Sequence, residues 1–322
     1  MRAIQIHPKT NDLIWENVPD PFCGPDDVVL EVAACGVNRA DLLQRRGLYP
    51  PPPGASEILG LEAAGVVSQV GSNVTGWLAG DRAMCLLSGG GYAERVRVHA
   101  SALIPLPENM PWEIAAAIPE VFYTAYVNVF LEAGITAGET LLVHAGGSGV
   151  GTAAIQLAVE HGCTVIATAS EAKLEPISEL GAYAVDRNAE DFVACVHEVT
   201  QGRGADVILD PVGGSYLARN QACLAEEGRL VLIGLMGGGS AELNLATMLV
   251  KRQRLIGSVL RSRSIEEKSA ITAHFLRDVM PLIVEEQVGP ILEAEFGIEQ
   301  AAEAHALLQS NETFGKVVLH VR

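Results

Sequence analysis

The rhythm of apolar and polar positions changes once along this chain. From residue 1 to about 118, apolar residues alternate with polar ones in short runs at 2–7, 13–16, 28–35, 64–70, 82–86 and 93–98, each bounded by turn residues. Period-two alternation gives a strand one buried face, so this part predicts a mostly β domain. After Pro119 apolar runs at 140–144, 164–168, 207–210 and 229–233 alternate with helical periods. Between the first two lies 149–161, with Val150, Ala153, Ala154, Leu157 and Ala158 on one helical face and Gly162 as its stop signal. That is a βαβ unit, and its repetition predicts a doubly wound α/β sheet of parallel strands. The tail adds helical stretches at 266–279 and 298–308 and a final strand at 315–321. A lone terminal strand must pair, and returning it to the β region makes that domain discontinuous, at 1–120 and 263–322, around an α/β domain at 121–262.

Length and composition narrow the class. Two domains suit 322 residues, and 49% hydrophobic with 19% charged residues is a globular composition. No stretch approaches the ~18 uncharged apolar residues of a membrane span. The opening Met1-Arg2-Ala3-Ile4-Gln5-Ile6 enters a strand with no leader-like segment, which makes the cytoplasm the expected location. A formal charge of −17 repels phosphodiester backbones and anionic lipid, so neither nucleic acid nor membrane is an expected partner. The basic residues Lys251, Arg252, Arg254, Arg261 and Arg263 read as a solvated face or as a contact for a small anion. Six cysteines without a C-x-x-C pair suggest reduced thiols, and His144 and His161 read as satisfied structural groups, so no metal site is expected. The run Pro50-Pro-Pro-Pro53 reads as a rigid loop holding Tyr49, or as a polyproline ligand.

The segment His144-Ala-Gly-Gly-Ser-Gly-Val-Gly151 follows an apolar strand and opens an apolar-faced helix. Glycines there admit a pyrophosphate close to the backbone, and the free amides and dipole of the helix attract its charge. Gly146, Gly147, Ser148, Gly149 and Val150 are the candidate phosphate contacts. An NAD site would carry an acidic residue about 20 residues on, at the end of the second strand. Here that strand ends Ala167-Thr168-Ala169-Ser170, with Lys173 beyond, which favours the extra phosphate of NADP(H). Ser170 also suits a helix N-cap, and Glu171 would oppose the phosphate if turned inward. Asp210-Pro-Val-Gly-Gly214 and Gly234-Leu-Met-Gly-Gly-Gly239 follow further strands and read as cofactor walls or as plain turns.

Cys35-Gly-Val-Asn-Arg-Ala-Asp41, Gly60-Leu-Glu-Ala-Ala-Gly65, the loop at 144–151, Leu209-Asp-Pro-Val-Gly-Gly214 and Gly315-Lys-Val-Val-Leu319 together resemble the medium-chain dehydrogenase/reductase superfamily over nearly the whole chain. Arg39 through Gly54 and Leu260-Arg-Ser-Arg263 are similar to its zinc-free NADPH:quinone oxidoreductases, above all the tumour-suppressor-inducible branch. The resemblance implies a Rossmann doubly wound parallel sheet plus a GroES-like mostly-β domain, with an active cleft between them. The family's zinc ligands fall here on Asn38 and Leu61, an amide and a leucine that cannot hold Zn²⁺. It further implies that Asn38 and Tyr49 face nicotinamide and substrate, that Thr124 lies near the nicotinamide ribose, and that Ser170 and Lys173 bind the 2′-phosphate. Leu235, Met236 and Leu260 would line the nicotinamide pocket, and Lys316, in the family's Gly-Lys ending, would bind the cofactor. The chain departs at 186–192, where Arg187 would serve the phosphate instead of the family's tyrosine.

These residues suit a quinone, whose conjugated carbonyls accept hydride with orientation rather than a metal or nucleophile. Tyr49 is expected to donate a hydrogen bond to the developing oxyanion while Asn38 keeps cofactor and substrate in register. The alternatives are an NADPH-dependent enone or enoyl-thioester double-bond reductase and a non-catalytic NADPH-binding protein. A homodimer is the expected assembly, through the apolar regions at 230–235 and 243–250.

Overall fold

The computed structural model describes residues 1–322. They divide into two compact units: Met1–Tyr123 with Arg261–Arg322, and Thr124–Leu260. In the first, β1 (Arg2–Ile6) and β2 (Leu13–Asn17) form an antiparallel pair. The strands β3 (Asp27–Val37), β4 (Glu62–Val70), β5 (Arg82–Leu86), β6 (Arg95–His99) and β7 (Leu103–Pro105) belong to a larger sheet. Alternation put one face of each strand inward: Val28, Leu30, Val32, Ala63, Val67, Ala83, Cys85 and Val96 form one core with Leu59 and Tyr92.

The second unit holds β8 (Thr140–His144), β9 (Thr164–Ala169), β10 (Tyr183–Asp186), β11 (Ala205–Asp210), β12 (Leu224–Leu232) and β13 (Arg254–Gly257). They lie in the order β10-β9-β8-β11-β12-β13, every pairing parallel. Strand order therefore reverses between β8 and β11, and the ends of those strands open the crevice where open parallel sheets take their ligands. The helix after β8 runs Gly149–Glu160, with Ala153, Ala154, Leu157 and Ala158 buried as its apolar period requires. A second core gathers Leu142, Ile166, Phe192, Val196, Ile208 and Leu230.

The chain then returns to the first unit through a helix at Ile265–Asp278 that begins with a reciprocal Ser264/Glu267 cap. The last strands, β14 (Leu292–Gly297) and β15 (Lys316–His320), pair with each other, and β15 lies antiparallel on β3, so the terminal strand does rejoin the β region. No helix is long and apolar enough to cross a membrane.

Several elements differ from the pattern along the sequence. β4 starts at Glu62, two residues before its apolar run, because that carboxylate is buried with partners rather than solvated. β12 starts at Leu224, five residues early, and absorbs the exposed pair Glu226 and Glu227 at a kink where Glu227 takes φ 56°. The strands β10, β13 and β14 and the helix Arg39–Arg45 carry too much charge or are too short to stand out as apolar periods.

Candidate active site and nucleotide loop

In the first unit the site grows from a strand end, a helix start and the returning terminal strand. β3 ends at Val37, and Asn38 begins the helix Arg39–Arg45, whose Asp41 accepts the Asn38 amide at 2.8 Å. Asp41 also accepts the Gly60 amide at 3.0 Å and the Tyr92 hydroxyl at 3.2 Å. Beside this turn β15 brings Lys316, 3% exposed, against Glu62, which is wholly buried. The Lys316 ammonium donates to Glu62 Oε1 and Asn38 Oδ1, each at 2.6 Å, and to the Val37 carbonyl at 3.1 Å. Asn38 Nδ2 donates to Glu62 Oε1 at 2.8 Å, and the Glu120 amide donates to Glu62 Oε2 at 2.8 Å. The carboxylate fits because residue 36 is glycine: a Cβ there would stand 2.1 Å from Glu62 Oε1. A buried ion pair held by further hydrogen bonds is stable as a unit, and losing one partner typically costs about 3–5 kcal/mol through the charge left behind.

Lys316 thus spends its three N–H donors inside its own unit, where it fixes Asn38. Asn38 keeps one Nδ2 proton that the bond to Glu62 does not use. Burial and the neighbouring charge of Glu62 lift Glu120 from 4.5 to about 8, so this half-buried side chain is protonated at neutral pH. Burial likewise raises Asp41 to about 6, against the stabilising amides of Asn38 and Gly60. Tyr49 stands on the loop after the helix Arg39–Arg45, half-buried, its phenol pushed up by burial first and by Glu120 second, so it is a neutral donor. The Asp41, Glu62, Glu120 and Arg261 side chains were not singled out as site residues from sequence; the Asn38-x-x-Asp41 spacing and a carboxylate inside each of two apolar runs were the available signals.

In the second unit the loop leaving β8 places Ala145 at φ 55°, a left-handed conformation seldom adopted by residues with a Cβ and concentrated at functional turns. Ser148 Oγ accepts the Gly151 amide at 3.0 Å and caps the helix. A Cβ on Gly151 would lie 2.4 Å from the Ala145 carbonyl, so the tight turn requires glycine there. The amides of Gly149 and Val150 begin the helix, have no acceptor within it, and are free to meet an anion. Beneath the loop, His144 packs edge-on against Phe192 and Tyr216. Its ring bonds Thr168 Oγ1 at 3.0 Å and Asn220 Oδ1 at 2.7 Å, and Asn220 in turn donates to Asp210 Oδ2 at 2.9 Å. Burial holds His144 down to about 4, a neutral strut joining the ends of β8, β9 and β11. Asp210 Oδ1 accepts the amides of Val212 and Gly213, and Gly214 and Gly237 bond Gly238 and Val212, which ties the two later glycine loops to each other.

Ser170 and Lys173 follow β9 and Arg187 follows the neighbouring β10: the Arg187 amide bonds the Ala169 carbonyl and the Lys173 amide the Ser170 carbonyl. Ser170 does not use its hydroxyl as a helix cap, and Glu171 is exposed. Leu235 and Met236 are exposed, Leu260 is buried, and Thr124 is half-buried with its carbonyl bonded by Asn128.

The state of Glu120 has a thermodynamic signature. An unfolded chain releases that proton near pH 4.5 and the folded unit near pH 8, so stability falls as pH rises through this window. Glu120→Gln should therefore gain stability relative to the parent between pH 5 and pH 8, as read by calorimetric melting; a constant difference across those pH values would mean that Glu120 is ionised throughout.

Residues 24–108 match the alcohol dehydrogenase GroES-like domain family and residues 149–275 the zinc-binding dehydrogenase family. The chain is 31% identical over 327 residues to the quinone oxidoreductase of Rattus norvegicus, covering 99% of this chain and 97% of that protein. Among solved structures, an NAD-dependent alcohol dehydrogenase superposes with a TM-score of 0.87 at 31% identity over all of both chains. CurK enoyl reductase superposes with a TM-score of 0.86 at 26% identity, over 99% of this chain and 98% of that one. With a 3-2-1-4-5-6 parallel sheet in one unit and a GroES-like sheet in the other, the chain belongs to the medium-chain dehydrogenase/reductase superfamily, oxidoreductases that bind a nicotinamide cofactor.

Proposed function

We propose that this protein is a zinc-independent NADPH:quinone oxidoreductase of the tumour-suppressor-inducible type, working in the cytoplasm as a homodimer. The observation that carries the metal-free part is the Lys316 ammonium, 2.6 Å from both Glu62 Oε1 and Asn38 Oδ1. A cation already sits on the carboxylate and amide oxygens, Leu61 offers no donor, and a divalent ion would meet repulsion rather than ligands. The choice of NADP(H) is supported by Ser170, Lys173 and Arg187 at the ends of β9 and β10, with no carboxylate closing β9. An exposed edge strand β13 beside exposed Leu245, Leu249 and Val250 supports a second copy of the chain as partner.

NADPH supplies a hydride when bound. The chain's own residues supply the rest. The amides of Gly149 and Val150 would hold the bridging phosphates, and Lys173 and Ser170 would hold the 2′-phosphate. Asn38, locked by Lys316 and Glu62, presents its remaining N–H in a fixed direction. The neutral Tyr49 phenol donates to the acceptor oxygen as negative charge develops there, then regains its proton from solvent. The similarity to CurK enoyl reductase supports a second reading, in which the same phenol protonates the enolate of an enoyl substrate.

Steady-state NADPH oxidation against small para-quinones, ortho-quinones and enoyl thioesters should favour a quinone and be indifferent to EDTA; an enoyl thioester as the better substrate replaces the first reading by the second. Tyr49→Phe should lower turnover about tenfold or more with NADPH affinity nearly intact, and full turnover would remove the phenol from the chemistry. In a coenzyme fluorescence titration NADPH should bind more tightly than NADH, and Lys173→Ala should erase most of a preference worth about 1.5–3 kcal/mol. Equal affinities in the parent would refute the NADP(H) assignment.

A further inference from the structure

The first unit buries a second cation that no carboxylate touches. Arg261 is 6% exposed, and its guanidinium is met only by neutral groups. Nε donates to the Ser88 carbonyl at 2.9 Å, Nη1 to the Tyr49 carbonyl at 3.0 Å and Nη2 to Gln44 Oε1 at 2.6 Å. Its carbon lies 5.0 Å from the centroid of the Tyr49 ring. Buried charges are ordinarily paired with opposite ones, because desolvation costs several kcal/mol, so an arginine buried on carbonyls and an aromatic face is costly to keep for stability alone.

Its partners explain what the cost maintains. Tyr49 opens the run Pro50-Pro-Pro-Pro53, four residues without an amide hydrogen, so the loop has little backbone hydrogen bonding with which to hold itself. Arg261 grips that loop by the Tyr49 carbonyl, and Gln44, itself held by Arg261, donates Nε2 to the Glu57 carbonyl at 2.8 Å on the loop's far side. Both ends are thereby tied to one planar group. The arginine is fixed in turn from its own backbone: its carbonyl accepts the Lys268 ammonium at 2.7 Å and Ser88 Oγ at 3.0 Å, while Lys268 also donates to Ser88 Oγ at 2.6 Å.

We propose that Arg261 is the positioning residue for Tyr49, fixing the proline loop through the main chain and holding the phenol ring against a cation. The proposal rests on the catalytic reading of Tyr49 given above. Only an arginine fits the position, since a lysine ammonium carries the charge but cannot reach three acceptors spread over one plane. The charged groups that act on the phenol are Glu120, which opposes its ionisation, and Arg261, which favours it; Asp41 and Glu120 act on Arg261, and Lys268 lies beside its carbonyl.

The test compares Arg261→Met and Arg261→Lys, each in the parent and in Tyr49→Phe, in the full chain. Arg261→Met should lower kcat about tenfold or more while leaving the dissociation constant for NADPH within about twofold, and should cost little further in Tyr49→Phe. Tyr49 ionisation, read by ultraviolet absorbance as the difference between each protein and its Tyr49→Phe counterpart, should move to higher pH in Arg261→Met and return toward the parent in Arg261→Lys, whose kcat stays low. Parent kcat in Arg261→Met alongside an impaired Tyr49→Phe would overturn this proposal and leave the reading of Tyr49 intact. An equal loss in the Tyr49→Phe background would also overturn it, as a merely structural effect. Full activity in Tyr49→Phe would defeat the catalytic reading, and the absorbance titration would still report whether Arg261 governs the phenol. If melting shows Arg261→Met unfolded, the titration of Arg261→Lys decides: an unshifted phenol with low kcat supports the clamp, and parent kcat refutes it.

Discussion

One buried ion pair organises the first unit. Lys316 and Glu62 lie 254 residues apart in sequence, on β15 and β4, the two strands that flank β3, and their contact joins those strands across it. The pair is tolerable only because every neighbour contributes: Asn38 and the Glu120 amide satisfy Glu62, and Val37 and Asn38 satisfy Lys316. The same arrangement fixes Asn38, and burial first and the charge of Glu62 second make the nearby Glu120 keep its proton. Structural and chemical roles meet here in one cluster of four side chains.

In the second unit the analogous task falls to a network that contains no cation. A neutral histidine, an asparagine and a carboxylate that caps two amides connect the ends of three parallel strands at the place where strand order reverses. A cationic side chain there would compete with the helix amides for the phosphates, whereas imidazole held near pKa 4 adds no charge at neutral pH.

Most of the scaffold was legible in the sequence because it rests on local periodicity. The alternation at 82–86 and the apolar run at 140–144 coincide with β5 and β8, and the glycine loop announced both its strand and its helix. What local pattern conceals is pairing at a distance. Glu62 reads as a break in an apolar run until Lys316 is known to face it, so β4 was expected to begin two residues late. Ser170 reads equally well as cap or ligand, and the short turn that follows it uses its carbonyl but not its hydroxyl. Arg261 sits among other basic residues that resemble a solvated face; only the tertiary fold distinguishes the one that is buried. Lys316 was identified by its motif, but its bonds to Glu62, Asn38 and Val37 were not, since a motif marks a position without saying where the donors point.

The returning strand also sets an order of events. β15 supplies the ammonium without which Glu62 is a stranded charge, yet it is made after the whole of the second unit. A ribosome releasing this polypeptide therefore delivers a self-contained nucleotide unit first, while the earlier-made β strands wait with a seam open along β3. Until the last residues close that seam, the nascent protein carries an unprotected strand edge, and that interval is where chaperone dependence and aggregation would concentrate.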